Sequence, residues 1–321
     1  MARQVHLMVV GSANTDMVVS AARIPAPGET ILGGEFVMVP GGKGANQAVT
    51  AARLGARVTF VGCVGADLFG NATRDNLRKE GLATAWVVED PKAASGVALI
   101  AVDSSGQNAI VVAPGANMAL RPEHVDRAMD ASGDLDGLVL QCEIPLDTVD
   151  HAVRRAHAAS IPVVLNPAPA CTLPQGLLSC VSCVTPNESE ASVLTGLDTS
   201  TSDGAVEAAR ALLSMGAASA VVTLGKDGAV VATHSGVERI APYAVEAVDA
   251  TAAGDCFTAA LACAWLNPSD AGVRGAGVEH ERLVRAARYA SAAAAVSVTR
   301  LGAQPSLPTF NEVAAFIEQA R

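Results

Sequence analysis

The chain has 321 residues, of which 50% are hydrophobic and 17% are charged. This composition predicts a folded chain with enough apolar material for a large core, and it excludes a disordered polymer. The net charge of −10 provides no long-range basic field, so neither a nucleic acid nor an anionic membrane is an expected partner.

Short runs rich in valine and isoleucine alternate with longer segments of helical period. Such alternation is typical of strand–helix units around a mostly parallel sheet. The predicted strands are 6–10, 58–61, 137–141, 163–166, 180–185 and 220–224. The predicted helices are 44–54, 71–80, 148–159, 188–194, 203–215, 255–265 and 279–297, with 267–277 as a polar loop between the last two.

Two segments interrupt this order. Residues 16–39 and 95–113 alternate in the manner of half-exposed strands and contain the turns Pro-Ala-Pro-Gly and Asp-Ser-Ser-Gly. They predict a small β flap on the main sheet. No repeat, low-complexity tract or linker divides residues 1–321, which are therefore predicted to form a single domain.

No segment of the sequence predicts a membrane span or a leader. The most apolar late stretch, 286–298, is shorter than the ~20 residues that a bilayer requires, and the apolar run before Gly11 is too short for a signal peptide. We therefore expect a cytoplasmic protein whose seven cysteines are reduced. Cys180 and Cys183 form a C-x-x-C, which is either half of a zinc or redox site or a pair of small buried strand residues. The absence of a second pair favours the buried residues.

A glycine cluster at 40–47, Pro-Gly-Gly-Lys-Gly-Ala-Asn-Gln, leads directly into a predicted helix. Bare backbone amides and the helix N-terminus would face a ligand there, and Lys43 and Asn46 add donors. A tight strand-to-helix turn would explain two glycines, whereas the third glycine with Lys43 and Asn46 favours a polar ligand. Neither this segment nor Gly225-Lys226 has the spacing of a Walker A loop.

A second cluster of small residues, 249–255, reads Asp-Ala-Thr-Ala-Ala-Gly-Asp and precedes another predicted helix. Consecutive amides in such a turn form a nest for an anion. Asp255 alone would be read as a capping residue at the helix N-terminus. A carboxylate beside an anion nest is also what transfer of a phosphoryl group to a hydroxyl requires.

Residues 41–65 and 249–262 resemble the two signatures of the ribokinase-like carbohydrate kinase family. The resemblance extends to 11–16 (Gly-Ser-Ala-Asn-Thr-Asp), 61–67, 186–190 (Pro-Asn-Glu-Ser-Glu), 223–228 and 300–306 (Arg-Leu-Gly-Ala-Gln-Pro-Ser). It implies a three-layer α/β/α sandwich with a β lid. The implied activity is phosphorylation of D-ribose at its 5-hydroxyl by ATP, with Asp255 as the base and the amides of Ala252, Ala253 and Gly254 as the anion hole. Alternatives are a kinase for another sugar or a nucleoside, or a non-catalytic sugar-binding regulator.

The resemblance also assigns binding residues. The sugar hydroxyls would contact Asn14, Asp16, Gly42, Lys43, Asn46, Glu143 and Asp255, under an apolar cover of Ala98, Ile100 and Ile110. The nucleotide would contact Asn187, Thr223, Leu224, Gly225, Lys226, Asp227, Gly228 and Gly254, with Mg²⁺ and phosphate near Asn187 and Glu190. K⁺ would be held by Asp249 and Thr251 and by carbonyls of Ser297, Arg300, Gly302 and Ser306. The resemblance further implies a homodimer formed through the lid.

The sequence departs from the family pattern at a few positions. Ala250, Cys256 and Ala259 stand in the second signature where other residues are usual, and Ser291 stands where relatives often carry Asn near the adenine. None of these positions carries the expected base, so they bear on nucleotide fit and cation affinity.

Overall fold

The computed structural model describes residues 3–104, 106–268 and 276–320. The strands are β1 (His6–Val10), β2 (Asn14–Ser20), β3 (Phe36–Gly41), β4 (Arg57–Gly65), β5 (Val87–Asp90), β6 (Gly96–Val102), β7 (Asn108–Ala113), β8 (Gly137–Leu140), β9 (Val163–Leu165), β10 (Cys183–Val184), β11 (Ser219–Thr223), β12 (Ala229–Thr233) and β13 (Gly236–Ile240). The helices are α1 (Lys43–Arg53), α2 (Leu68–Lys79), α3 (Pro122–Ser132), α4 (Leu146–Ala158), α5 (Glu188–Thr195), α6 (Ser202–Ser214), α7 (Ala253–Trp265), α8 (Ala276–Ser297) and α9 (Phe310–Gln319).

The main sheet follows the order β13-β12-β11-β10-β9-β8-β1-β4-β5. Its pairs from β11 to β5 are parallel, and β12 and β13 extend it as an antiparallel hairpin. Strand β1 lies between β8 and β4, with Val9 opposite Val139 on one side and Phe60 on the other. The carboxyl ends of the parallel strands therefore meet at one edge, where ligands of such sheets bind.

Helices cover both faces of this sheet. Because side chains alternate along a strand, Leu7 and Val9 of β1 pack with α1, α7, α8 and α9, whereas Met8 and Val10 pack with α3, α4, α5 and α6. Burial on both faces explains why the strands consist of continuous apolar runs. The predicted three-layer α/β/α arrangement is confirmed.

A separate four-stranded sheet, which we call the lid sheet, has the order β3-β2-β6-β7. It contains strands from both segments that the sequence assigned to a flap, with a long loop between β2 and β3. Asp16 on β2 lies opposite Ala98 on β6 and Val39 on β3. Residues that pair in this way share a face, so the lid sheet places Ala98 beside Asp16.

Several predicted boundaries were wrong. Residues 180–185 do not form one strand, because Leu177–Cys180 is a 3₁₀ turn and the strand is only Cys183–Val184. Cys180 is therefore a half-buried turn residue, whereas Cys183 is a buried strand residue as predicted. The helix expected from Asp255 begins two residues earlier, at Ala253.

The sequence prediction also missed α3, α9, β5 and the hairpin of β12 and β13. Most of the predicted loop 267–277 lies at 269–275, outside the described residues, as does Ser105 of the Asp-Ser-Ser-Gly turn. Within the described ranges, no helix is long and apolar enough to cross a membrane.

Candidate active site

The polar residues of the site follow the carboxyl ends of four parallel strands. Ser12 follows β1, Glu143 follows β8, Asn166 follows β9 and Thr185 follows β10. Ser12, Asn166 and Thr185 are buried, as are the strands that precede them. A rigid sheet therefore fixes the position of each of these groups.

Helix α1 begins at this edge. Its N-cap is Gly42, whose φ of 87° lies in the region that favours glycine. A Cβ at this position would lie 2.7 Å from the backbone nitrogen of Asn14 and 2.8 Å from Cα of Ala13. Only glycine allows the start of β2 and the start of α1 to approach this closely, and Lys43 follows at the first helical position.

Helix α7 begins opposite, at an N-cap that has no capping side chain. Ala252 adopts a left-handed conformation with φ of 62°, which is unusual for a residue with a Cβ. The N–H of Ala253 donates to the carbonyl of Ala250 at 3.2 Å. The described part of the chain offers no acceptor to the N–H groups of Ala252, Gly254 and Asp255. These amides favour an anion at the helix N-terminus.

The Asp255 carboxylate lies in the first turn of α7 and is held by two amide side chains of α1. Nδ2 of Asn46 lies 2.9 Å from Oδ2, and Nε2 of Gln47 lies 3.0 Å from Oδ1. Burial, together with the charge of Glu143, raises the pKa of Asp255 above its ordinary value, although Lys43, Asn46 and Gln47 each act to lower it. The same donors that position the carboxylate therefore favour its ionised form.

Acidic groups surround Lys43. Burial by itself would lower the pKa of Lys43, but Asp255, Glu143, Glu190 and Asp16 raise it above its usual value. Lys43 is consequently a cation at neutral pH, placed among carboxylates at the start of α1.

Asp16 has the most perturbed carboxyl on the lid side of the site. Burial and the charges of Glu143 and Asp255 raise its pKa to about 7, although the charge of Lys43 acts to lower it. A Cβ on Gly41 would lie 2.1 Å from Oδ2 of Asp16, so glycine at position 41 makes room for this carboxylate.

The remaining predicted sugar residues are tied to neighbours by hydrogen bonds. Oε2 of Glu143 accepts from the hydroxyl of Ser12 at 2.5 Å and from the Lys43 amide at 3.1 Å. Oδ1 of Asn14 accepts from Nδ2 of Asn117 at 2.7 Å. Neither Ser12 nor Asn117 was predicted as a site residue, although Ser12 lies within the motif at 11–16.

A cavity of about 180 Å³ joins the two helix N-termini. Of the residues predicted for the site, its lining includes Lys43, Asn187, Glu190, Thr223, Ala252, Gly254 and Asp255. The lining does not include Leu224, Gly225, Lys226, Asp227 or Gly228. A wider groove of about 660 Å³ between β13 and α9 contains none of the predicted residues. The small cavity is therefore where the chemically active groups gather.

The segment 223–228 forms the turn between β11 and β12. Gly225–Asp227 is one 3₁₀ turn, closed by the Leu224 N–H donating to the Gly228 carbonyl at 2.8 Å. At Gly228, where φ is 94°, a Cβ would lie 2.0 Å from the carbonyl oxygen of Ile240. Lys226 and Asp227 are exposed on this turn, beyond the wall that Thr223 forms.

Asn187 and Glu190 form a capping box at the start of α5. Oδ1 of Asn187 accepts from the Glu190 amide at 2.8 Å, and Oε2 of Glu190 accepts from the Asn187 amide at 2.9 Å. Burial raises the pKa of Glu190, and the nearby Lys43 lowers it. The pair therefore stabilises the helix and also presents a buried acidic group to the cavity.

The residues predicted for K⁺ are brought together only in part. Asp249 accepts from the amide and hydroxyl of Thr251 at 2.8 and 2.6 Å, and from the Gly302 amide at 2.8 Å. Although burial opposes it, these donors lower the pKa of Asp249. The Ser297 carbonyl accepts from the Arg300 amide, and the Ser306 hydroxyl donates to the Ala303 carbonyl. The ionised Asp249 and the neighbouring carbonyls are the oxygen ligands that a hard cation prefers.

The seven cysteines are all free thiols. In the described ranges, no group of three or more His, Cys, Asp or Glu residues is arranged to hold a metal ion.

The sequence reading missed the buried amides behind Asp255, which are Gln47, Gln141 and Asn166. A signal was present, because Asn46 and Gln47 of the first predicted helix are spaced to lie on the same face as Lys43, which directly precedes that helix. Buried polar side chains are usually hydrogen-bonded, so polar residues on a buried helix face indicate a hydrogen-bond network.

Comparison with known proteins decides the family. The family model "pfkB family carbohydrate kinase" matches residues 4–310. The chain belongs to the pfkB family of carbohydrate kinases. The family match spans both helix N-termini and the lid sheet, so the site belongs to a phosphotransferase.

Individual relatives and solved structures agree with this family assignment. A ribokinase of Haemophilus influenzae is 39% identical over 98% of this chain and 99% of its own. A deoxyribokinase of Salmonella typhi is 36% identical over 95% and 97%. A solved structure of Arabidopsis thaliana ribokinase, complexed with ribose and ATP, superposes with a TM-score of 0.84 at 32% identity, over 99% of each chain.

Proposed function

We propose that this pfkB-family kinase is a ribokinase, which transfers the γ-phosphoryl group of ATP to the 5-hydroxyl of D-ribose. The observation that carries the proposal is the buried Asp255 carboxylate, which shares one cavity with Lys43 and the uncapped N-terminus of α7. A base, a cation and free amides are what a hydroxyl-to-phosphate transfer requires. The ribokinase relative and the ribose and ATP complex of the Arabidopsis enzyme support ribose as the substrate.

Asp255 acts as the general base in this proposal. As the sugar oxygen forms its bond to the γ-phosphorus, the bond from that phosphorus to the bridging oxygen breaks and ADP leaves. The hydroxyl proton passes to the Asp255 carboxylate, which Asn46 and Gln47 hold in place. Its ionised form is required at the start, and the two amides and Lys43 favour that form.

The anion hole is formed by the start of α7. The free N–H groups of Ala252 and Gly254, with that of Asp255, stabilise the negative charge on the transferred group. The Ala253 amide, assigned the same role from the sequence, contributes less because it already donates to Ala250.

The two substrates approach Asp255 from opposite sides, and of the residues proposed for the sugar only Lys43 and Asp255 line the small cavity. The sugar lies toward Asn14, Asp16, Gly42, Lys43, Asn46 and Glu143, and the lid sheet covers it. The apolar cover is supported by the strand register, because Ala98, Ile100 and Ile110 share a face with Asp16. The nucleotide lies toward Asn187, Gly254 and the turn from Thr223 to Gly228.

Two ions complete the proposal. Mg²⁺, held with the phosphates near Asn187 and Glu190, supplies charge neutralisation of the transferred phosphoryl group when it is bound. K⁺ would be held by Asp249, by Thr251 and by carbonyls of Ser297, Arg300, Gly302 and Ser306. The ionised Asp249 beside the start of α7 supports this assignment.

We also propose a homodimer formed through the lid sheet. The strand register places Phe36, Met38, Leu99 and Val111 on the face opposite Asp16, and all four are exposed. A contiguous apolar face of this kind indicates an interaction site.

A cytoplasmic location, where ATP is available and thiols stay reduced, is also part of the proposal and agrees with seven free cysteines.

A panel of pentoses, hexoses and nucleosides with ATP in a coupled assay tests the function. We expect ribose to exceed 2-deoxyribose in kcat/KM by about 10-fold or more, because a buried Asp16 that loses a hydroxyl partner is left unsatisfied. Asp16→Ala should lose most of this preference by slowing ribose.

Deoxyribose kinase activity is the second candidate, since a deoxyribokinase is 36% identical to this chain. If deoxyribose, fructose or adenosine outranks ribose in the panel, the proposed substrate is wrong and the family assignment stands.

A further inference from the structure

Gln47 is the second amide that holds the catalytic carboxylate. It is fully buried on α1, and its Nε2 lies 3.0 Å from Oδ1 of Asp255 and 3.1 Å from Oδ1 of Asn166. Its Oε1 accepts from Nε2 of Gln141 at 2.6 Å. Every polar atom of the Gln47 side chain is therefore used.

A backbone carbonyl fixes the direction of these hydrogen bonds. Nδ2 of Asn166 donates to the carbonyl of Thr185 at 2.8 Å, and a carbonyl can only accept. Oδ1 of Asn166 must then face Gln47 as an acceptor, which requires the NH₂ group of Gln47 to point toward it. The same NH₂ group has a second hydrogen, and this hydrogen is directed at Asp255.

The other end of the network is held by close packing. A Cβ on Gly11 would lie 2.0 Å from Oε1 of Gln141, so glycine at position 11 allows Gln141 to extend toward Gln47. Gln141 and Asn166 come from the ends of two neighbouring strands, β8 and β9. The network thus ties the orientation of an amide on α1 to the rigid centre of the sheet.

We propose that Gln47 is a positioning residue, which fixes the plane of the Asp255 carboxylate so that its free lone pairs face the sugar hydroxyl. This inference rests on the proposed function of Asp255 as the base. The terminal torsion of an aspartate is broad, so a carboxylate held through one oxygen is free to rotate, whereas one held through both is not. Asn46 holds the second oxygen.

A pH profile separates positioning from simple packing. Besides the two amides, the charged groups that face Asp255 are Lys43 of α1, Asp16 of β2, Glu143 after β8 and Glu190 of α5. None of these contacts is altered by Gln47→Met, which keeps the length of the side chain and removes its donor. We expect kcat for the preferred sugar to fall by about 10-fold or more, with a smaller change in KM. The acid limb of kcat/KM should move up by about one pH unit, because one donor to the carboxylate is lost.

Gln141→Met is the matched control. It removes one equally buried hydrogen bond of the same network but leaves the Gln47 contact with Asp255, so its acid limb should coincide with that of the wild-type enzyme. An unchanged acid limb in a folded Gln47→Met protein would overturn the proposal, as would an equal shift in both variants.

Gln47→Glu provides a second test if Gln47→Met does not fold. It keeps the size of the side chain and sets a second carboxylate beside Asp255, so the two should share a proton and the acid limb should move up further. An acid limb at the wild-type position in Gln47→Glu would contradict the role of Gln47.

The titration of Asp255 by carbon-13 NMR, assigned by the resonance that Asp255→Asn removes, needs no turnover. If the wild-type protein phosphorylates no sugar, the proposed function fails, and this titration still decides whether Gln47 controls the ionisation of Asp255. A higher Asp255 pKa in Gln47→Met or Gln47→Glu supports it, and an equal pKa contradicts it.

Discussion

At the residue scale, Asp255 and Asp16 are two buried carboxyls of one site whose pKa values are both raised, but which have different partners. Burial opposes ionisation of both. Asp255 has Lys43 and two amide donors against that effect, whereas Asp16 has Lys43 alone and faces two other acids. Asp255 is suited to accept a proton. Asp16 is suited to recognise hydroxyl groups, although its burial destabilises the folded protein.

Replacement of Asp255 by Asn should lower kcat by about 100-fold or more, because the base is lost while the shape of the side chain is kept. Sugar binding should weaken only a few-fold. A modest loss is expected because Asn46 and Gln47 both donate to position 255. The NH₂ group of the new asparagine would face one of these two donors and could not accept its hydrogen bond. A coupled assay gives kcat, and calorimetry gives the affinity for ribose. Turnover near the wild-type level would contradict the assignment of the base.

Asp16→Asn should raise the Tm of the ligand-free protein by an amount that grows between pH 5 and pH 8. The folded-state pKa of about 7 lies above the ordinary value, so the folded state binds more protons and this carboxyl destabilises the fold increasingly as pH rises toward 7. The neutral amide removes that penalty. Thermal unfolding followed by circular dichroism at both pH values tests this, and an equal effect at pH 5 and pH 8 would refute it.

At the element scale, two helices begin face to face at residues with positive φ. Gly42 adopts this conformation without a steric cost, whereas Ala252 does so at about 1 kcal/mol. Asp249 accepts hydrogen bonds from Thr251 and from Gly302, and these bonds tie the chain just before this turn to the segment after α8. The tail after α8 therefore stabilises the start of α7.

If K⁺ binds beside Asp249, it should order this turn and raise the rate above that in Na⁺ or Tris buffers. Ala250 departs from the family pattern. The side-chain oxygens of Asp249 and Thr251, which are the expected ligands, are nevertheless present. The measurement is the initial rate at constant ionic strength, with Asp249→Asn as the comparison. Identical rates in the three buffers would exclude the site.

The strands of the parallel sheet were predictable because they are buried on both faces and appear as apolar runs, as at His6–Val10. Strands β12 and β13 were missed because their short turn leaves no helix between them and the alternation of strand and helix fails there. Helix α3 begins with Pro122 and carries a histidine in its capping box, a signal outside the usual N-cap residues. Tertiary packing, rather than local pattern, defines these elements.

At the scale of the whole molecule, the lid sheet is apolar on both faces. Ile110 and Val112 are exposed on the face of Asp16, and Leu99 and Val111 are exposed on the other. One face suits a sugar and the opposite face suits a second protein surface. The position of the lid strands was predictable from sequence, but their two apolar faces became visible only with the register.

Leu99→Glu should therefore convert a dimer to a monomer, because it places a charge at the centre of the outer face. Size-exclusion chromatography with light scattering measures the mass. Val193→Glu is the matched control, since Val193 is equally exposed on α5, away from the lid sheet. A Leu99→Glu protein with the mass of the wild-type protein, whether monomeric or dimeric, would contradict the proposed interface.

The order of strands in the main sheet has an evolutionary consequence. Strand β1, which leads to the sugar residues, and β11, which leads to the nucleotide turn, are separated by β8, β9 and β10, a span of about 19 Å at ~4.8 Å per strand. The proposed contacts to the acceptor come from the first half of the chain and the lid, and most contacts to the donor come from the second half. New acceptor specificities can thus arise by substitutions in one half of the gene while the phosphate donor is inherited unchanged in the other. A chimera that joins the first half of a deoxyribokinase to the second half of this chain should accept deoxyribose.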